Sequence, residues 1–173
     1  MKRVIRRSVF ETNSSSAHSI SITNSDIKKS NLEVNDDGYI VVLPGEFGWG
    51  IENHRDQSTK LEYLVMMALE TEGKKCETLE QFYKTKGFKL INTAISSYCS
   101  CKGIVLEGFH FEKHIYKDSK NEDRFYITHE GYIDHQSCED YHSLKDFLDS
   151  YKTNVVDFIF NSGINLHISN DNI

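Results

Sequence analysis

From Thr59 to Gly103 the apolar residues recur at intervals of three and four, whereas on both sides of that block they alternate or gather in short bursts bounded by turn residues. This change of period constrains the chain most: helices in the middle, strands toward both ends. Leu61, Leu64, Val65, Ala68 and Leu69 form one stripe behind Thr59-x-x-Glu62, the spacing of a capping box, and Gly73 supplies the stop. The spacing predicts a single amphipathic helix there. A shorter one begins at Thr78-x-x-Gln81, with Leu79, Phe82 and Tyr83 inward and Gly87 at its end. A third carries Leu90, Ile91, Ala94, Ile95 and Tyr98 on one face before Gly103. Met66 and Met67 read as core filler rather than as a binding surface.

Ahead of this block, Lys2 to Val9 reads as a basic strand and Ser19-Ile20-Ser21-Ile22 as a half-buried one. After a polar stretch from Asn24 to Asp37, the continuous run Tyr39 to Leu43 has the character of a central strand, stopped by Pro44-Gly45. Beyond the helices, Gly103 to Glu107, Phe109 to Tyr116 and Arg124 to Thr128 read as strands, and Glu130-Gly131 as a hairpin turn into Tyr132-Ile133-Asp134. Ser143-x-x-Asp146 caps what reads as one long helix, bearing Leu144, Phe147, Leu148, Tyr151, Val155, Phe158 and Ile159, and Ile164 to Ile168 alternates as a closing strand. Strands, helices, strands, a helix and a strand predict an α+β fold in a single domain over residues 1–173. Its sheet is expected to be mixed or mostly antiparallel, with a central cluster of helices and one long C-terminal helix.

Nine Tyr and ten Phe exclude a disordered chain. A net charge of −6 argues against bulk nucleic-acid binding, although Lys2, Arg3, Arg6 and Arg7 form a local basic patch able to steer an anion. No apolar run reaches the roughly 20 residues of a membrane span, and Met1 to Ser19 lacks the apolar core of a signal peptide. A cytoplasmic protein without a membrane partner is therefore expected. Cys76, Cys99, Cys101 and Cys138 show no secreted-framework pattern, so reduced thiols are expected. A zinc site from Cys99, Cys101, His135 and Cys138 would lack the usual paired Cys-x2-Cys spacing.

Three groups of residues could carry chemistry. Asn13, Ser14, Ser15, Ser16, His18 and Ser19 place hydroxyls, an amide and an imidazole within seven positions. Neighbours in sequence rarely align as nucleophile and base, so a Ser-His triad built here alone is disfavoured. The same groups suit a phosphate, with backbone N–H groups assisting, and they equally suit a turn bonded to its own backbone. Asp134, His135, Gln136 and Ser137 form a second polar cluster at the end of a strand. His18 and His135 would make an acid–base pair if folding unites them. Glu46, in the loop Pro44 to Gly50, is the one acid there able to act with them. Third, His110, Glu112 and His114 alternate on one strand face, as metal ligands or simply as a solvated face.

The stretch Phe10-Glu11-Thr12-Asn13-Ser14-Ser15-Ser16-Ala17-His18-Ser19, behind its basic strand, resembles the opening of a group of small, mostly uncharacterised bacteriophage and mobile-element proteins. Pro44 to Trp49, Tyr132 to Ser137, and Phe158 through Asn172 are similar to segments of the same group. Gly50 stands where those relatives carry an acid. The resemblance implies a phage or prophage context in the host cytoplasm but no activity.

The resulting expectation is a phage-type protein whose polar cleft gathers Asn13, Ser14, Ser15, Ser16, His18, Glu46, Asp134, His135 and Gln136. It would bind a nucleotide or another phosphate-bearing substrate and cleave or transfer it, with His18, His135 and Glu46 as catalytic groups. No cofactor and no metal is implied. The competing expectations are a non-enzymatic inhibitor or adaptor of a host protein and, last, a metal-dependent hydrolase using His110, Glu112 and His114.

Overall fold

Residues 63 to 69 are buried without interruption, and a helix buried around its whole circumference must be enclosed on every side. A computed structural model describes residues 3–5, 16–23, 25–48, 50–133 and 141–170, with main chain alone at 3–5, 16–18, 169 and 170. In it, helix α1 (Gln57–Ala68) is the hub. The expected amphipathic stripe is only one side of it, because Tyr63, Met66 and Met67 on the remaining faces are also fully buried. The start differs as well. Asp56, not Thr59, is the N-cap, its carboxylate accepting from the Thr59 N–H at 2.8 Å. A π-helical turn, Leu69–Gly73, continues α1, with Thr71 Oγ1 donating to the Met67 carbonyl at 2.7 Å.

Helices α2 (Leu79–Phe82) and α3 (Lys86–Cys99) follow. Thr78 caps α2 as its spacing predicts, accepting from the Gln81 N–H at 3.3 Å. The single long C-terminal helix is instead two, α4 (Leu144–Ser150) and α5 (Val155–Phe160). Lys152 takes a left-handed conformation at φ 53°, and Asn154 opens α5 by accepting from the Asp157 N–H at 2.9 Å, so the chain turns between them. Glu72 ties the set together. Its carboxylate accepts from the Gly87 N–H at 2.8 Å and the Leu144 N–H at 3.2 Å, supplying an anion to the starts of both α3 and α4.

Among the described residues the strands form four small sheets around these helices. The largest, antiparallel throughout, has the order β1 (Arg3–Ile5), β2 (Ser16–Ile22), β10 (Ile164–Asn170), β5 (Glu52–His54). Strands β3 (Ile40–Val42) and β6 (Ile104–Leu106) pair in parallel, as do β4 (Glu46–Phe47) and β9 (Tyr132–Ile133). Strands β7 (Phe111–Lys117) and β8 (Asp123–His129) make a hairpin. The α+β class holds, but two expected pairings change. The Tyr39–Leu43 run does not sit at the centre of a sheet, since among the described residues β3 pairs only with β6, and Val41 and Leu43 are exposed. Glu130-Gly131 does not fold β9 back on β8. Gly131, at φ 81°, redirects the chain to β4, where a Cβ would lie 2.7 Å from Met66 Sδ. No helix among the described residues is long and apolar enough to cross a membrane.

Candidate functional site

The alternation of Ser19-Ile20-Ser21-Ile22 and of Ile164-Asn165-Leu166-His167-Ile168 gives the four-stranded sheet two unlike faces. Register sets Ile20 against Leu166, Ser19 against His167 and Ser21 against Asn165, and sets His167 and Ile168 against Asn53 and Glu52 on the other side. Ile20, Ile164, Leu166 and Ile168 are buried in the core. Ser19, Ser21, Asn165, His167 and Asn53 occupy the opposite parity and remain partly or wholly exposed.

On the polar face, Asn53 Oδ1 lies 2.9 Å from His167 Nδ1 and accepts from Asn165 Nδ2 at 3.2 Å. An amide oxygen only accepts, so Nδ1 is the donor in this contact. On the core-facing parity, Glu52 and His54 are half-buried, and Nε2 donates to Glu52 Oε2 at 2.7 Å. The second Glu52 oxygen accepts from the Gly48 N–H at 3.3 Å, and the Phe47 ring packs edge-on against His54 at 5.8 Å. The carboxylate thus orients the imidazole and is itself held by the main chain.

The predicted residues fall unevenly around this frame. Asn13, Ser14, Ser15, Asp134, His135 and Gln136 lie outside the described residues. Ser16 and His18 are placed by their main chain in β2, where His18 pairs with Ile168. Since Ile168 pairs in turn with Glu52, His18 and Glu52 belong to one row across the sheet, their backbones two strand spacings or about 10 Å apart. Glu46 is exposed on β4, alternating with the buried Phe47. Strand β9 runs parallel to β4, so the chain leaves Ile133 toward residue 134 beside the point where it leaves Phe47 for Gly48.

Glu52, His54, Asn53 and His167 carry no motif. The one sequence signal for them is the period-two placement of Glu52 and His54 around Asn53.

The other candidates disperse. His110 Nδ1 turns to Glu130 Oε1 at 3.1 Å, and Glu130 also accepts from the His110 backbone N–H. His114 Nε2 is 2.9 Å from Thr128 Oγ1 and 3.6 Å from Glu112. Among the described residues no three His, Cys, Asp or Glu side chains are grouped to hold a metal ion. Cys99 donates to Ser30 Oγ at 3.3 Å, and burial pushes its thiol up, away from the thiolate that zinc requires. His135 and Cys138, its proposed partners, lie outside the described residues. A groove of about 520 Å³ opens between Lys29–Val34 and the end of α3, lined by Ser30, Leu32, Tyr98 and Cys99 among others, and by none of the predicted site residues.

No family model, curated protein or solved structure matches the chain.

Proposed function

We propose that the chain binds a nucleotide or another phosphate-bearing ligand at the Glu52 end of the four-stranded sheet, and cleaves or transfers it with His18 and His135 as proton carriers. One imidazole takes the proton from the attacking hydroxyl while the other, protonated, delivers one to the leaving oxygen. Asn13, Ser14, Ser15, Ser16, Asp134 and Gln136 bind the substrate, and Glu46 is the third catalytic group. Glu52 and His54 add a carboxylate–imidazole pair on the same side of the sheet.

The supporting observation is the parallel pairing of β9 with β4. It sets Ile133, the last described residue before Asp134, beside Phe47, whose neighbour Gly48 is bonded to Glu52, and Glu52 shares a row with His18. A non-enzymatic adaptor of a host protein is the second reading, favoured by the exposed aromatic side chains of the β7–β8 hairpin. The two separate in one experiment, in which wild type, His18→Ala and His135→Ala are assayed against inorganic phosphate, AMP, ADP and ATP by thermal shift and by turnover. The ligand reading expects a raised melting temperature and turnover in wild type, both lost in each variant, while the unliganded melting temperatures stay within a few degrees. A wild-type chain that neither shifts nor turns over any of them at millimolar concentration overturns it.

A further inference from the structure

The β7–β8 hairpin presents apolar surface that the other described residues do not cover. Neither strand contains a fully buried residue, and Ile115, Tyr116, Phe125 and Tyr126 are 69%, 49%, 51% and 52% exposed. A two-stranded ribbon is marginal alone, and an open edge beside exposed apolar side chains is a template for another strand.

The hairpin's hydrogen-bond phase shows which groups that edge offers. The Asp118 N–H donates to the Glu122 carbonyl at 3.0 Å, closing the turn as a hydrogen-bonded pair. Bonded and non-bonded pairs alternate in an antiparallel ladder. Tyr116 with Arg124, His114 with Tyr126 and Glu112 with Thr128 are therefore the bonded pairs. Phe125 and Ile127 consequently direct their N–H and C=O groups away from β7, along the free edge of β8.

That edge complements itself. With two copies of β8 antiparallel about a two-fold axis at Tyr126, Phe125 faces the partner's Ile127 as a bonded pair. Arg124 then faces the partner's Thr128, and Tyr126 faces the partner's Tyr126. Within Asp123–His129 no like charges meet, and every apolar residue meets another. The same operation on β7 fails, since His114 would face the partner's His114 and Lys113 the partner's Ile115. The β8 arrangement also joins Ile115, Phe125 and Ile127 of both copies on one face of a four-stranded sheet. On the other face, the Tyr126 ring, already stacked on His114 at 4.8 Å, meets its symmetry mate.

We propose that a second copy of this chain is the partner of the hairpin, joined through the outer edge of β8 in an isologous dimer. This stands independently of the phosphate reading, because no residue of the hairpin belongs to that site. The contact is confined to one strand edge of each copy, below the size of a standard specific interface, so the dimer forms reversibly as concentration rises.

The test is sedimentation velocity on the full chain between about 1 and 500 µM, beside Ile127→Pro, Phe125→Lys and, as a control on the other edge, Ile115→Pro. Ile127 and Ile115 both point their N–H groups outward, so proline at either position removes no bond of the hairpin. The proposal expects wild type to pass from monomer to dimer across the range. Ile127→Pro and Phe125→Lys should stay monomeric with unchanged circular dichroism, and Ile115→Pro should still dimerise. Amide exchange at Phe125 and Ile127 in wild type should slow at least tenfold between the dilute and concentrated samples, a reading that needs no variant to fold. A wild type monomeric at 500 µM, a dimer indifferent to both β8 variants, or exchange at these amides that ignores concentration each overturns it.

Discussion

Two of the small sheets, β4–β9 and β7–β8, reverse the usual relation between length and dependence. The first joins two residues to two in parallel, too little to persist alone, yet Phe47 is 2% exposed and Ile133 fully buried. Packing holds it in place, with the Phe47 ring against Tyr63 at 5.2 Å and His54 at 5.8 Å. The second joins seven residues to seven and buries none of them fully. Its cross-strand pairs include Lys117 with Asp123 at 2.6 Å and Lys113 over the Phe125 ring at 4.3 Å, and it meets the body through Phe111 and the pairs Lys113–Glu77 and His129–Glu70. Stability in this chain follows proximity to α1 rather than ladder length.

The sharpest way to break that contrast is Phe47→Ala. Removing a ring wedged between Tyr63 and His54 leaves a cavity, so the expected loss is about 3–5 kcal/mol, read by calorimetry as a fall in melting temperature on the order of 10 °C. A loss below about 1 kcal/mol would mean that β4 is held by its two-residue ladder after all. Under the phosphate reading the variant should also weaken ligand binding at temperatures where it is folded, because Phe47 fixes both His54 and the path to Gly48.

The buried side of the contrast also encloses a charge. Lys60 is fully buried, with Nζ donating to the carbonyls of Asn161 at 3.2 Å and Ile164 at 3.4 Å. Burial pushes its pKa down from 10.5 to about 8, with the Asp56 carboxylate opposing. Between those values the unfolded chain binds the additional proton, so Lys60 makes the fold more stable as pH rises through the window. The increment is about 3 kcal/mol from pH 8 to 10.5. Urea unfolding of wild type and Lys60→Met across this range should show the difference between them moving by that amount in favour of wild type. A constant difference would show that the ammonium is not desolvated in the fold.

What could be read in advance divides along the same line. Local signals sufficed for Thr78 and Ser143 as caps, for Met66 and Met67 as core, and for the alternation in β2 and β10, because each needs only neighbours in sequence. The break between α4 and α5 was also written locally, in the Asn154-x-x-Asp157 cap, but a continuous apolar stripe from Leu144 to Ile159 masked it. The circumference of α1 was not legible, since a stripe reveals one face and the others are covered by α3, α4, α5, β3 and β9. For the candidate site, the hydroxyls and imidazole near His18 stand out in the sequence by density, although Asn13, Ser14 and Ser15 lie outside the described residues. The Glu52–His54 and Asn53–His167 pairs did not, because each residue is ordinary until the register of β5 against β10 sets it beside its partner.

The smallest effect belongs at the other end of the contrast. Ile115→Thr, measured where the chain is monomeric, should cost less than about 0.5 kcal/mol and move the melting temperature by no more than 1–2 °C, because the residue is 69% exposed. Threonine keeps the β-branch, so the strand's preference survives while one apolar cross-strand contact with Phe125 weakens. The informative readout is local. Amides of β7 and β8 should exchange faster while those of α1 are unchanged, as expected of a unit that opens without unfolding the body. If α1 exchange rises in step with the hairpin, the ribbon is part of the same cooperative unit as the core, and exposure has ceased to be a guide to independence in this chain.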